Sequence, residues 1–262
     1  MDYTDFLSEI QQTKSTNTFK TYRRALGFFP EGTREEAIGV ISSGLSDATK
    51  RLYLQVFRSA LEWYGISDRD ITRIIKGFRA EETVEPCPSP ANVELIWKGL
   101  SKPRDKAIFA LMCYNGLRVG EVAAIKMQDV SDDTILIRHT KGKQDALIPL
   151  VHERVRGAVQ SYIKTQRKVA GRGLSDALFL TDGGKPLSVR DIQRFIQNEC
   201  TMNGLNFHCH SFRRFFANTL KKAGVPVEDI QQCLRHKTIT TTMKYLNFGE
   251  GAVKNTLAAV YS

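Results

Sequence analysis

The chain has 262 residues, 42% of them hydrophobic and 25% charged, a make-up that excludes disordered, collagen-like and membrane-spanning classes and leaves room for one large or two modest domains. The outlying quantity is charge: 38 Lys and Arg against 28 Asp and Glu give +10, which points to a polyanionic partner such as nucleic acid. No apolar run approaches the roughly 18 residues that a membrane span requires.

The opening MDYTDFLSEI lacks the basic and apolar regions of a secretory leader, so an intracellular, cytoplasmic protein without a membrane partner is expected. Cys87, Cys113, Cys200, Cys209 and Cys233 are odd in number and form no CxxC pair. Reduced, mostly buried thiols are therefore expected rather than a disulfide framework.

In chain order, residues 1–82 read as four or five short amphipathic helices. Tyr3, Phe6, Leu7 and Ile10 share one stripe, as do Phe19, Tyr22 and Leu26, at helical spacing. Thr33 with Glu36 has the form of a capping box, Ser46 is placed to cap DATKRLYLQVFRSALEWYGI, and Ser67 with Asp70 is expected to open DITRIIKGF. Residues 83–90, with Pro86, Pro88 and Pro90, resist both helix and central strand and read as a linker. Ser89 and Pro90 have the form of a cap and first helical residue.

Residues 91–262 form the second predicted domain. Helical periodicity runs through DKAIFALMCYNGL and GEVAAIKM, then gives way to alternation in TILIRHT and ALIPLV, which predicts a β-hairpin around KGKQD with Pro149 on an edge strand. A helix with Val155, Val159, Tyr162 and Ile163 on one side follows. Then come a short strand ALFLT and helices to the end. The expected fold class is mainly α with a small β-hairpin. Residues 1–80 hold 12 of the basic and 10 of the acidic side chains, so the remainder carries +8 of the +10.

Several residues in the second domain have the chemistry of a phosphate site. Arg118 emerges just after a glycine that can end the preceding helix, and Glu121 sits where it can hold it. A helix beginning near His210 places His210 and Arg213 on one face, with Phe212, Phe215 and Phe216 turned inward. A guanidinium fork and an imidazole together suit a phosphoryl group. A further helix delivers His236, and a Thr-rich turn leads into a helix expected to carry Tyr245.

Arg118 in GLRVGE, Lys141 in TKGKQ, His210 and Arg213 in HSFRR, His236 in LRHKTITTT and Tyr245 in TMKYL resemble, in order and spacing, the catalytic set of the tyrosine recombinases, the phage-integrase-type site-specific recombinases. The resemblance covers residues 90 to 247, and the N-terminal helices look like that family's core-binding domain. It implies that Tyr245 attacks a DNA phosphodiester, leaving a 3′-phosphotyrosine and a free 5′-hydroxyl. A phenol ordinarily ionises near pH 10, so cations and a base must assist. His210 and His236 are placed for that. Arg118 and Arg213 would neutralise phosphoryl charge, and Lys141 would protonate the departing oxygen.

The phosphotyrosine conserves the energy of the broken bond, so the resemblance implies no cofactor, metal or ATP. The absence of GxxxxGK[ST] and of a carboxylate cluster agrees. Implied partners are double-stranded DNA with specific recombination sites, further copies of the chain in a tetrameric synapse, and accessory DNA-bending or directionality proteins, with a nucleoid-associated location. Lys14, Lys20, Arg23, Arg24, Lys50, Arg51 and Arg58 are the expected DNA contacts of the first domain, which with the catalytic domain would clamp the duplex.

Some positions depart from the family pattern. Arg214 stands where a histidine is usual and is expected to support the site. Arg235 replaces a usual glycine before His236, which alters a tight junction or adds a DNA contact. Lys143 shares the hairpin with Lys141, and the alignment favours Lys141. Cys200, His208, Cys209 and His210 do not have zinc-ligand spacing. Tyr261 sits in apolar LAAVY and reads as packing. Val253, Leu257 and Val260 form a stripe in a C-terminal tail helix that either closes its own core or docks on a neighbouring protomer. The rival functions are a type IB topoisomerase-like enzyme and a DNA-binding protein without turnover.

Overall fold

The computed structural model describes residues 1–79, 86–138, 145–167 and 175–246. Lys141, Lys143, Tyr261, the expected tail helix and residues 83–85 of the expected linker lie outside the described residues. The chain divides into two compact units, Met1–Val84 and Glu85–Ser262. It is mainly helical with a small hairpin, as expected.

The first unit contains α1 (Thr4–Thr13), α2 (Thr16–Leu26), α3 (Arg34–Ser42), α4 (Asp47–Trp63) and α5 (Arg69–Gly77). Side-chain caps set where these helices begin: Ser15 accepts from the amide of Thr18, Ser46 from that of Thr49, and Thr33 with Glu36 forms the expected capping box. For α5 the cap is Asp68 rather than Ser67, because the Asp68 carboxylate takes the amides of both Asp70 and Ile71, at 2.8 and 2.9 Å. One such cap contributes about 1 kcal/mol. The apolar faces close on a core in which Phe29 stacks on Phe57 with ring centres 4.1 Å apart.

The second unit is built around a helix that is apolar on all sides. Ala107 through Cys113 are all buried in α7 (Pro103–Tyr114), so this helix runs through the core rather than over it. It packs against α6 (Pro90–Gly99), α8 (Val119–Ala124), α9 (Glu153–Tyr162), α10 (Val189–Met202) and α11 (Cys209–Lys222). Ser89 caps α6 and Pro90 is its first residue. Strands β1 (Thr134–Ile137) and β2 (Ala146–Pro149) pair antiparallel, Ile135 opposite Ile148, with Ile135 and Ile137 turned into the core.

The predicted strand ALFLT is not a regular strand. Ala177 and Leu180 make isolated bridges, to Lys126 and Pro186. The Tyr162 hydroxyl donates to the Leu178 carbonyl at 3.1 Å and accepts from the Leu180 amide at 3.0 Å. One buried side chain thus takes backbone groups that a neighbouring strand would otherwise have to satisfy.

Beyond α11, α12 (Val227–Leu234) and α13 (Ile239–Met243) form a smaller cluster in which Ala217, Ile230, Leu234, Tyr245 and Leu246 are buried together. Arg235, between α12 and His236, has φ 54° and is the one non-glycine residue with positive φ among the described residues. This conformation costs an L-residue roughly 1–2 kcal/mol. Gly116, at φ +60°, follows α7, where any Cβ would run into the ring of Phe216. No helix among the described residues is long and apolar enough to cross a membrane.

Candidate active site

Two chain reversals after helix ends, at Gly116 and at Arg235, converge on the first turns of α11. Arg118 caps α8, and the Glu121 carboxylate returns to it twice: Oε2 accepts from the Arg118 amide at 2.9 Å and Oε1 from its Nη1 at 2.6 Å. Both side chains are largely enclosed, 24% and 8% exposed, so the pair is held in one geometry.

Arg213 is expected on the open face of α11, yet it is the largest fully buried side chain described, 1% exposed. Its two Nη groups donate to the carbonyls of Gly116 and Leu234, while Nε has no partner among the described residues. A buried guanidinium survives in the core only because its donors meet acceptors there. One such meeting point is the left-handed turn at Gly116. Phe212 is buried as expected, whereas Phe215 and Phe216 are half-buried at the edges of two different apolar clusters.

Tyr245 lies in a turn just past α13, not on a helix as expected; the short helix of threonines ends at Met243. Its hydroxyl meets Nε2 of His210. The His210 and His236 ring centroids each lie 4.9 Å from that of the Tyr245 ring, and the Arg214 guanidinium lies 5.8 Å over the ring face. Asn218 donates to the Tyr245 carbonyl at 2.8 Å, which fixes the backbone that carries the phenol. His236 is 7% exposed, its Nδ1 3.0 Å from the Thr242 hydroxyl and its Nε2 without a partner among the described residues.

Electrostatics follow from burial and from crowding of cations. Burial, then Arg213, Arg118, His210 and Arg235, pushes His236 down to about 3, so its ring is neutral at pH 7. Burial, then Arg118 and Arg235, lowers Arg213 to about 9, which leaves it cationic. Burial pushes the Glu121 carboxyl up, but Arg235 and the hydrogen bonds from Arg118 outweigh it and hold the group below its ordinary range. The result is one carboxylate surrounded by guanidinium groups, a net positive pocket in which the Nε groups of Arg213 and Arg235 have no partner among the described residues, and such a pocket attracts a phosphodiester.

The predicted residues Arg118, Glu121, His210, Arg213, Arg214, His236 and Tyr245 thus lie in one unit and meet at one place. Cys200 and Cys209 are buried thiols, and burial raises them to about 11 and about 12.

Sequence reasoning missed the cleft beside these groups. Arg118, Glu121, His210 and Arg213 open onto a cavity of about 1460 Å³ whose further walls include Lys126, Arg138, Arg190, Gln193, Arg194 and Gln197. Four of these form a polar stripe on α10 at positions i, i+3, i+4 and i+7, opposite the buried Ile192 and Ile196. The signal was present in VRDIQRFIQ, where the Arg and Gln positions share one helical face.

In the first unit, Arg51 and Arg58 line a groove of about 530 Å³ together with Lys76 and Arg79, two cations not singled out in the sequence. Lys14, Lys20, Arg23 and Arg24 are exposed at the end of α1 and on α2, and Lys50 pairs with Asp47 at 3.5 Å.

Residues 90–250 match the model of the phage integrase family. The chain is 27% identical over 261 residues to tyrosine recombinase XerC of Shewanella sp. (strain ANA-3), covering 90% of this chain and 86% of that protein. Among solved structures it resembles the Tn1549 transposon integrase in complex with transposon right-end DNA, with TM-score 0.78, 19% identity and the whole of both chains covered. It also resembles a lambda integrase tetramer bound to a Holliday junction, with TM-score 0.73 and 17% identity, covering 94% of this chain and 76% of that one. The chain belongs to the phage integrase family.

Proposed function

We propose that this member of the phage integrase family breaks and rejoins DNA strands at specific sites through Tyr245, and that the observation carrying this reading is the phenol hydroxyl resting on His210 Nε2 beside Arg213, Arg118 and His236. The Tyr245 oxygen attacks the scissile phosphorus, the bond to the 5′ oxygen breaks, and a 3′-phosphotyrosine with a free 5′-hydroxyl results. His210 takes the phenolic proton. Arg118 and Arg213 neutralise the charge that builds on the non-bridging oxygens, an effect worth about 10²- to 10³-fold for one well-placed donor.

Neutral His236 completes the pocket by hydrogen bonding, since a ring held uncharged can pair with a phosphate oxygen through Nε2 without adding a further cation. Lys141 is the proposed acid for the leaving oxygen, with Lys143 the alternative on the same hairpin. Arg214 supports the ring of Tyr245 and Glu121 orients Arg118. All these roles except that of the hairpin lysine fall to residues that meet within one chain, which favours attack by each protomer's own tyrosine.

The attack of a second 5′-hydroxyl on the phosphotyrosine reverses the step and joins new strands, so no nucleotide hydrolysis is needed. Specific DNA sites, a tetrameric synapse and accessory proteins belong to the same reading. It is supported by the DNA-bound and tetrameric relatives of the same fold. The cations of the cleft and of the groove bearing Arg51 and Arg58 supply phosphate contacts.

A suicide substrate carrying a nick beside the scissile phosphate tests the reading. The wild-type protein is expected to form a DNA adduct that withstands denaturant and is absent with Tyr245→Phe at unchanged DNA affinity. An adduct that persists in Tyr245→Phe overturns it. Supercoil relaxation without strand exchange between two sites would favour a topoisomerase instead.

A further inference from the structure

Arg235 has no part in the steps above, although it is the one described non-glycine residue with a positive φ. Its backbone is left-handed, where glycine fits without a steric conflict. A bulky residue held in that conformation beside a reactive site calls for a compensating contact. The contact is evident. Nη1 donates to the Cys233 carbonyl at 2.8 Å and Nη2 to Glu121 Oε2, also at 2.8 Å, with the side chain only 10% exposed.

Glu121 uses its two oxygens differently. Oε1 holds the Arg118 guanidinium at 2.6 Å, while Oε2 receives the Arg118 amide and the fork of Arg235. The next residue after Arg235 is His236, which reaches Thr242 and so fixes the turn that ends in Tyr245. One guanidinium therefore links the half of the site carrying Arg118 to the half carrying the nucleophile.

We propose that Arg235 is a positioning residue which, by gripping Glu121, keeps Arg118 in register with His236 and Tyr245. The fork suits this task because its planar geometry holds two donors in set directions, whereas a lysine ammonium rides on a flexible stem. Glycine would relax the backbone but sever the link. A direct phosphate contact is the rival role, since Nε has no partner among the described residues, and the salt dependence of binding tells the two roles apart.

The proposal rests on the reading of Tyr245 as nucleophile, and the experiment separates the two. Single-turnover cleavage of the suicide substrate at saturating DNA is compared for wild type, Arg235→Gly, Glu121→Gln and the double variant, with DNA affinity measured across salt concentrations. Arg235→Gly is expected to melt no lower than wild type, to bind DNA with the same affinity and salt slope, and to cleave about tenfold or more slowly, since small misplacements of reacting groups carry such losses. The double variant is expected to be no slower than Glu121→Gln, because both changes cut the same link.

A smaller rate loss, or losses that multiply in the double variant, overturns the proposal. So does weakened binding with a salt slope shallower by about one, the signature of a direct phosphate contact. If Arg235→Gly does not fold, Arg235→Lys is read by the same criteria. A wild-type protein that forms no Tyr245-dependent adduct refutes the nucleophile reading, whereas an adduct formed equally fast by Arg235→Gly refutes only the brace.

Discussion

The two units hold their cations in opposite ways. In the first, Lys14, Lys20, Arg23, Arg24, Arg51 and Arg58 stand exposed on helix surfaces, and their nearest acids, such as Glu62 at 2.7 Å from Arg58, are exposed as well. In the second, Arg213, Arg235 and Glu121 are packed inside, with donors aimed at carbonyls and one carboxylate. Water screens the first set, so its members are replaceable and act through their sum. Burial isolates the second set, so each member has one geometry and its loss is felt singly. The units should accordingly fail differently, by affinity in the first and by rate in the second.

The sharpest contrast is expected from Arg213→Ala. Cleavage should fall by about 10²-fold or more, because a fixed donor to the phosphoryl group is removed. The fold should weaken by about 3 kcal/mol, because two buried carbonyls and the Glu121 charge are left without this partner. Single-turnover kinetics and thermal melting check the two parts, and an unchanged melting temperature would break the contrast.

His236→Asn should slow cleavage by about 10²-fold at pH 7, and it carries a pH test. The folded His236 binds a proton only near pH 3, while the unfolded chain binds one near 6.5. The unfolded state therefore binds more protons in that interval, and wild-type stability is lost as pH falls from about 6.5 toward 3. Denaturant melts between pH 7 and 5 should show a smaller loss for the Asn variant.

Asn218→Ala should cost about tenfold in rate, since it frees the Tyr245 backbone without touching the phenol. Arg51→Ala and Arg58→Ala mark the other side of the comparison. Each should leave cleavage at saturating DNA unchanged and make the salt slope of binding shallower by about one for each phosphate that is no longer neutralised. Asp68→Ala gives the smallest effect, a stability loss of about 1 kcal/mol from uncapping α5, with cleavage at saturating DNA intact.

The spacing of Arg118, His210, Arg213, His236 and Tyr245 was legible because a motif is a property of the linear chain, and the helices and hairpin followed from periodicity and caps. What sequence alone could not supply is what the surroundings decide. The Tyr162 hydroxyl takes the place of a strand partner for ALFLT, which no local propensity reveals. Asp68 rather than Ser67 caps α5 because the helix begins at Arg69, which puts Asp68 directly before it. Arg213 reads as a phosphate-binding cation beside His210, but its burial is visible only once the turns at Gly116 and Leu234 bring carbonyls to it. The Arg and Gln stripe on α10 was visible as a pattern but had no meaning before the cleft gave it a floor, and Arg235 read as a departure until Glu121 appeared beside it.

The two carbonyls gripped by Arg213 belong to Gly116 and Leu234, 97 and 21 positions away along the chain. The grip cannot be complete on a ribosome-bound fragment ending before residue 234, and a partly unravelled molecule loses it as soon as either turn opens. Unfinished or partly unravelled copies are therefore expected not to cut DNA, because the site that Arg213 completes needs both of these turns closed around it.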